Sequence, residues 1–269
     1  MRHPLLTVWM CLLVWLLPML PALALDLDRV EAEIHRLSNV LRAEKDLPPL
    51  AQLPELDGLA RRHSNNMARQ QFFAHQDPEG LSPSARMQTQ LPGLLTMGSG
   101  ENIAMRSSGA DELTVARALV SQWRNSPGHY RNIISPDYLH LGVGIADSGQ
   151  NIYATQVFAA GLVLLKSPLP ASVSTGESVA LQFRFLANFA PEQLSLFLTV
   201  PDKQARFPAS GGSFYTGGGP LIPQWQDASH FTVTIPSRYG LGQYRLGIGR
   251  QGSYYNTPYQ FEVVAPSRP

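Results

Sequence analysis

Three stretches in the first half of this 269-residue chain set an imidazole or a carboxylate among apolar or turn-forming neighbours. They are Ala60-Arg61-Arg62-His63-Ser64, Gly100-Glu101-Asn102-Ile103-Ala104, and Ser126-Pro127-Gly128-His129-Tyr130-Arg131-Asn132. An unpartnered polar group costs about 2–7 kcal/mol to bury, so three in one domain point to a shared polar site. His63 and His129 with Glu101 offer three chemistries: internal pairing, binding of a divalent metal, or holding a water for proton transfer. The residues alone do not choose among them. His75, in Phe72-Phe73-Ala74-His75-Gln76-Asp77-Pro78, reads either as a fourth member or as a loop histidine that caps backbone groups. Phe72 and Phe73 are expected to anchor that loop. Arg86, Glu112 and Arg131 read as surface or helix-capping residues. The chain contains no His-Glu-x-x-His and no Gly-x-Ser-x-Gly, and Gly142-Val143-Gly144 lacks the third glycine of a dinucleotide loop.

These residues need elements to position them. Leu27, Val30, Ile34, Leu37 and Leu41 recur at helical spacing, with Pro48-Pro49 as the stop. A second helix follows Pro54 and carries Leu56, Leu59, Ala60, His63 and Met67 on one stripe, so His63 points inward. A third begins near Asp111-Glu112 and ends at Ser126-Pro127-Gly128, a tight turn that would fix the His129 ring. Two strands, Leu141 to Ala146 and Ile152 to Phe158, are joined by the turn Asp147-Ser148-Gly149-Gln150. Helices and strands do not alternate regularly, which gives an α+β class.

Beyond Lys166 the pattern becomes strands and turns throughout, with runs at 179–185, 194–200, 231–235, 244–248 and 259–264. This reads as an all-β immunoglobulin-like sandwich, with Leu241-Gly242-Gln243-Tyr244 as a candidate tyrosine corner. The expected organisation is a signal peptide over 1–24, a first domain over 26–162, a linker over 163–172 and the sandwich over 173–266. The signal rests on the apolar run Leu5 to Leu20 and the Ala22-Leu23-Ala24 cleavage pattern. Its removal takes away Cys11, the only cysteine, which fits bacterial export without disulfides. Lys and Arg total 21 against 20 Asp and Glu. That balance argues against a nucleic-acid partner, which normally needs a basic face. After signal removal no apolar run approaches the ~18–20 residues that span a bilayer.

Residues from about 30 to 159 resemble the bacterial branch of the CAP superfamily, named for cysteine-rich secretory proteins, antigen five and pathogenesis-related one. The resemblance rests on an ordered set: Asn39-x-x-Arg42 with Leu47-Pro48-Pro49-Leu50, Ala60-x-x-His63-Ser64-x-x-Met67-Ala68, Phe73-x-His75 with Gly80, and Gly100-Glu101-Asn102-Ile103-Ala104. It continues through Trp123-x-x-Ser126-Pro127-Gly128-His129 and Gly142-Val143-Gly144 to Tyr153-x-x-Gln156-x-Phe158. It implies an α–β–α sandwich with a central cleft. The family's two cleft histidines match His63 and His129, and its first glutamate matches Glu101. The second glutamate would stand three residues after Trp123, where this chain has Ser126, so the tetrad is incomplete.

The expected cleft is therefore lined by His63, His75, Glu101, Asn102, Ser126, His129 and Asn132. Its ligand would be a small molecule, lipid, peptide or cell-envelope fragment. If a metal is held, Zn²⁺ on His63 and His129 is the expectation, although zinc normally takes three or four protein ligands. In the alternative, a metal- or water-dependent hydrolase of peptides or cell-wall material, His63 or His129 is the base and Glu101 its orienter. The expected location is secreted or periplasmic, with the β-sandwich as an adhesion or spacer module.

Overall fold

The computed structural model describes residues 25–255 and 257–266; the signal-peptide segment lies outside the described residues. Among these residues there are five α-helices: α1 (Leu27–Ala43), α2 (Pro54–Gln70), α3 (Pro83–Gln90), α4 (Glu112–Arg124) and α5 (Pro127–Ile133). The strands of the first half are β1 (Ala51–Gln52), β2 (Leu94–Ser107), β3 (His140–Asp147) and β4 (Asn151–Leu165). The helix starts follow local chemistry. Asp26, Ser82 and Asp111 each accept a backbone N–H at an N-cap, and Pro54 and Pro127 occupy first turns, where a missing N–H costs nothing.

In the first unit β4 lies between β3 and β2, both antiparallel to it. Side chains alternate across this sheet. Val157 joins Leu53, Leu56, Leu59 and Ala60 on the α2 face, whereas Phe158, Ala154 and Ile152 pack with Val30, Ile34, Leu119 and Trp123 on the α1/α4 face. Mixed helix and strand in three layers is the α–β–α arrangement that the sequence resemblance implied. β1 covers only His140 and Leu141 of the β3 edge. Beyond it, Val143 N–H donates to Asp57 and Ile145 N–H donates to Glu31, so two helix carboxylates satisfy an edge that a neighbouring strand would otherwise pair.

The second half holds β5 (Ser172–Ser174), β6 (Ser178–Phe185), β7 (Leu194–Thr199), β8 (Arg206–Pro208), β9 (Phe214–Thr216) and β10 (Gly218–Leu221). It continues with β11 (Gln224–Trp225), β12 (His230–Pro236), β13 (Gly242–Arg250), β14 (Ser253–Tyr255) and β15 (Gln260–Val264). One sheet runs β10-β7-β13-β15-β5, with β14 on β13. Strands β6, β12 and β11 face it, and alternate residues of both layers fill one core that includes Phe183, Phe231, Leu198, Tyr244 and Ile248. The candidate tyrosine corner is present: Tyr244 Oη accepts from Tyr239 N–H at 2.7 Å and donates to the Gly240 carbonyl at 3.2 Å.

Val163 to Leu165, placed by the sequence in a linker, are the last residues of β4. They pair with Phe183 to Phe185 of β6, so the sheet of the first unit runs on into the second as one seven-stranded sheet. Leu95, Leu162 and Val163 enter the core of the β-unit, and Tyr259 Oη donates to the Gly93 carbonyl at 3.0 Å. A continuous apolar run from Val157 to Leu165 is what a strand buried on both faces requires.

Candidate functional site

His63 owes its depth to two glycines. A Cβ on Gly144 would lie 2.0 Å from the Arg61 backbone nitrogen, and one on Gly142 would lie 2.2 Å from the Leu56 carbonyl carbon. Without those atoms α2 settles directly on β3. Ser64 Oγ donates to the Gly144 carbonyl at 2.8 Å and meets Thr155 Oγ1 at the same distance. His63 is thereby pressed against the sheet with 2 % of its surface exposed. Its Nε2 donates to the Ala74 carbonyl at 3.1 Å, and among the described residues the buried Nδ1 has no partner. Burial holds this imidazole below its ordinary pKa; Glu101 pulls it up, and Arg86 adds to the lowering.

Glu101 stands on β2 opposite Val157, facing α2, and its side chain is 4 % exposed. Its Oε2 accepts from Arg86 Nη2 at 2.6 Å and its Oε1 from His75 Nδ1 at 2.9 Å; His63 Nε2 lies 3.8 Å from Oε1. Arg86, read from sequence as a surface or capping residue, is buried. Its Nη1 donates to the carbonyls of His75 and Leu81, so one guanidinium neutralises Glu101 and secures the His75 loop. No spacing in the sequence marks this pairing. The signal available was that Arg86 stands beside Met87 on the buried side of a short helix.

His75 is half-exposed, with Nδ1 turned inward to Glu101. Phe72 packs with Met67, Ile103 and Tyr153, as expected of an anchor. Phe73 does not: it is 47 % exposed, because the loop is tied by Arg86 and the Ala74 carbonyl rather than by a second ring.

His129 comes from the opposite layer. Pro127-Gly128, read as a tight turn, instead opens α5, with Pro127 at the first turn and Ser126 as the N-cap residue without a side-chain capping bond. The His129 ring lies 6.3 Å from the His75 ring, centroid to centroid, and forms no bond to Glu101 among the described residues. Burial and the neighbouring His75 hold it below the ordinary imidazole pKa.

Asn102 and Asn132, expected in the cleft lining, brace it from behind. Asn102 is fully buried; its Nδ2 donates to the His129 carbonyl and to Gln156 Oε1, each at 3.0 Å. Gln156 passes the chain on to Ser38 Oγ, which donates to the Ile34 carbonyl. Asn132 Nδ2 donates to Asn102 Oδ1 and to the Glu101 carbonyl. Trp123 Nε1 and Gln122 Nε2 donate to the carbonyls of Ile103 and Met105, so the outer edge of β2 is occupied by side chains of α4 and α5. At the C-terminus of α5, Arg42 Nη1 donates to the carbonyls of Ile133 and Ser135.

The structure thus gathers His63, His75, Glu101 and Arg86, with the His129 ring next to that of His75. Zn²⁺ would need more than this set provides. Among the described residues no three His, Cys, Asp or Glu side chains are placed to hold an ion, and Nε2 of His63 is engaged by a carbonyl. These donors do not fit a metal centre.

Residues 35–159 match the model of the cysteine-rich secretory protein family, CAP. The uncharacterized protein YkwD of Bacillus subtilis (strain 168) is 34% identical over 119 residues, covering 44% of this chain and 43% of that protein. The uncharacterized membrane protein YlbC of the same strain is 30% identical over 115 residues, covering 43% of this chain and 31% of that protein. The chain spans less than half the length of these curated relatives. Among solved structures, an extracellular protein containing a SCP domain from Bacillus anthracis str. Ames is 29% identical, with a TM-score of 0.43 over 49% of this chain and 41% of that chain.

Proposed function

We propose that this chain, in which residues 35–159 make up a CAP domain, is an exported binding protein whose cleft recognises a ligand through His75 and His129. The supporting observation is the state of Glu101. Both of its oxygens are engaged, one by a buried guanidinium and one by His75 Nδ1, so the carboxylate orients an imidazole instead of waiting as a free base. His75 spends Nδ1 on Glu101 while its side chain stays half-exposed, and burial and His75 hold the nearby His129 imidazole below its ordinary pKa, so the two rings together offer nitrogens for hydrogen bonding. The exposed Phe73 adds an apolar contact at the rim. The hydrolase alternative, with His129 as base and Glu101 as its orienter, lacks that pairing: among the described residues Glu101 orients His75 and forms no bond to His129. Export is supported by the apolar leader pattern, and among the described residues no helix is long and apolar enough to cross a membrane. The β-unit, an immunoglobulin-like sandwich in this reading, holds the cleft at a fixed attitude to a surface or partner.

Histidine side-chain NMR of ¹⁵N-labelled residues 25–269 tests the reading against fractionated cell-wall digests and short peptides. Binding at the cleft shifts the His75 and His129 signals and leaves His230, exposed on the far unit beside Asp227, in place. Hydrolysis of the added material that is abolished in Glu101→Gln, without stable occupancy, would replace this reading with the enzymatic one.

A further inference from the structure

A cavity lies away from the histidines, where the two units meet. It has a volume of about 570 Å³ and takes residues from both, including Tyr138 and Asp137 from the first and Phe189, Arg250 and Tyr255 from the second. That size and a junction location are typical of small-molecule sites, which run from about 300 to 1,000 Å³. Tyr138 stacks on Phe158, on the sheet face opposite the one that carries Glu101. The cavity is therefore separate from the cleft, and nothing about it depends on the function proposed for that cleft.

Its floor is an irregularity in the sheet. The register of β2 on β4 jumps from Thr96 opposite Gly161 to Ser99 opposite Ala159, which leaves Met97 and Gly98 without strand partners. Thr96 Oγ1 donates to the Gly98 carbonyl at 2.7 Å and holds the bulge open. Bulges of this kind recur beside binding sites because they turn backbone and side-chain groups out of the ladder.

The charged groups on the wall are only partly committed. The Arg250 guanidinium lies over the Phe189 ring at 4.9 Å and its Nε donates to Gln193, while among the described residues its terminal nitrogens form no hydrogen bond. Among the described residues neither Arg250 nor Asp137 forms an ion pair. An apolar ligand would strip water from both charges without replacing it, and a bare anion would be repelled by Asp137. A pyranose presents a flat C–H face to a ring such as Tyr255, and hydroxyl donors to a carboxylate. A carboxylate substituent supplies the acceptor that a guanidinium binds best.

The geometry points to a binding site for an acidic saccharide between the CAP domain and the β-unit. The test is calorimetric titration of residues 25–269 with the disaccharide of N-acetylglucosamine and N-acetylmuramic acid, and with chitobiose, which lacks the lactyl carboxylate. The acidic disaccharide should bind about tenfold or more tightly than chitobiose, and Arg250→Gln should erase that preference while leaving the residual binding. Gly98→Phe should abolish both. A Cβ at Gly98 meets nothing within 4 Å, so the ring has room beside the cavity that Gly98 lines without displacing the protein interior, and an unchanged melting temperature certifies the fold. Loss of the disaccharide signal in His75→Ala would place the sugar in the histidine cleft and overturn the proposal. The proposal is overturned if neither sugar binds, if both bind equally, or if binding survives Gly98→Phe.

Discussion

Replacing Arg86 with methionine keeps much of the side-chain volume and removes the charge that faces Glu101. Both side chains of the pair are 4 % exposed, so solvent screening does little to soften the loss. Removing one partner of a buried ion pair costs about 3–5 kcal/mol, because the survivor is left uncompensated. The carbonyls of His75 and Leu81 lose donors too, but their loop is open enough for water to replace the guanidinium. For a chain of this size each kcal/mol is worth roughly 2–4 °C, so Arg86→Met should lower the melting temperature by about 6–20 °C. Urea denaturation followed by fluorescence suits the measurement, since the described part has one tryptophan in each unit, Trp123 and Trp225. The double variant Arg86→Met, Glu101→Gln removes the stranded charge and should regain most of the loss. A cost below about 1 kcal/mol, or a double variant no more stable than the single, would refute the view that Glu101 is an anchored charge.

Burial lowers the imidazole pKa of His35, His63 and His140 from 6.5, so below that pH the unfolded chain takes up protons that the folded chain refuses. Stability from this source is complete above about pH 6.5 and falls as the pH drops, by up to about 1.4 kcal/mol per pH unit for each ring. His140→Leu should flatten the curve of unfolding free energy between pH 6.5 and 5; an unaltered slope would remove His140 from the account. Gly144→Ala drives a methyl group into the α2 backbone and should cost about 3 kcal/mol or more, measured by chemical denaturation, with the His63 NMR signal displaced. Tyr244→Phe leaves the Tyr239 N–H without its acceptor in the β-unit and should cost about 1–3 kcal/mol, read from the Trp225 transition.

Much of this architecture can be read in the residues, because helix stripes and strand alternation are local patterns. The α2 stripe places His63 on the buried face, and Asp111 marks the start of α4 through its own side chain. Strand β2 escapes such reading. Its outer edge is completed by Asn132, Trp123 and Gln122, which come from helices 17–31 residues further along the chain, and three glycines or serines blur its alternation near the bulge. The His75–Glu101–Arg86 unit is hidden for a related reason. Its members stand 26 and 15 positions apart on a loop, a strand and a short helix, and only the packing of α3 beside β2 brings them together. The motif residues Asn39 and Arg42 announce themselves by type but not by task, which is to tie down the backbone around Leu50 and the end of α5.

Because β4 passes from one unit into the other without interruption, the molecule has no swivel at its waist. Backbone bonds from Val163 to Leu165, reinforced by the Tyr259 phenol on Gly93, weld the halves into one stiff body. Whatever grips the C-terminal half therefore also aims the histidine mouth, and a pull on that half reaches the N-terminal half as shear along a strand rather than as the straightening of a tether.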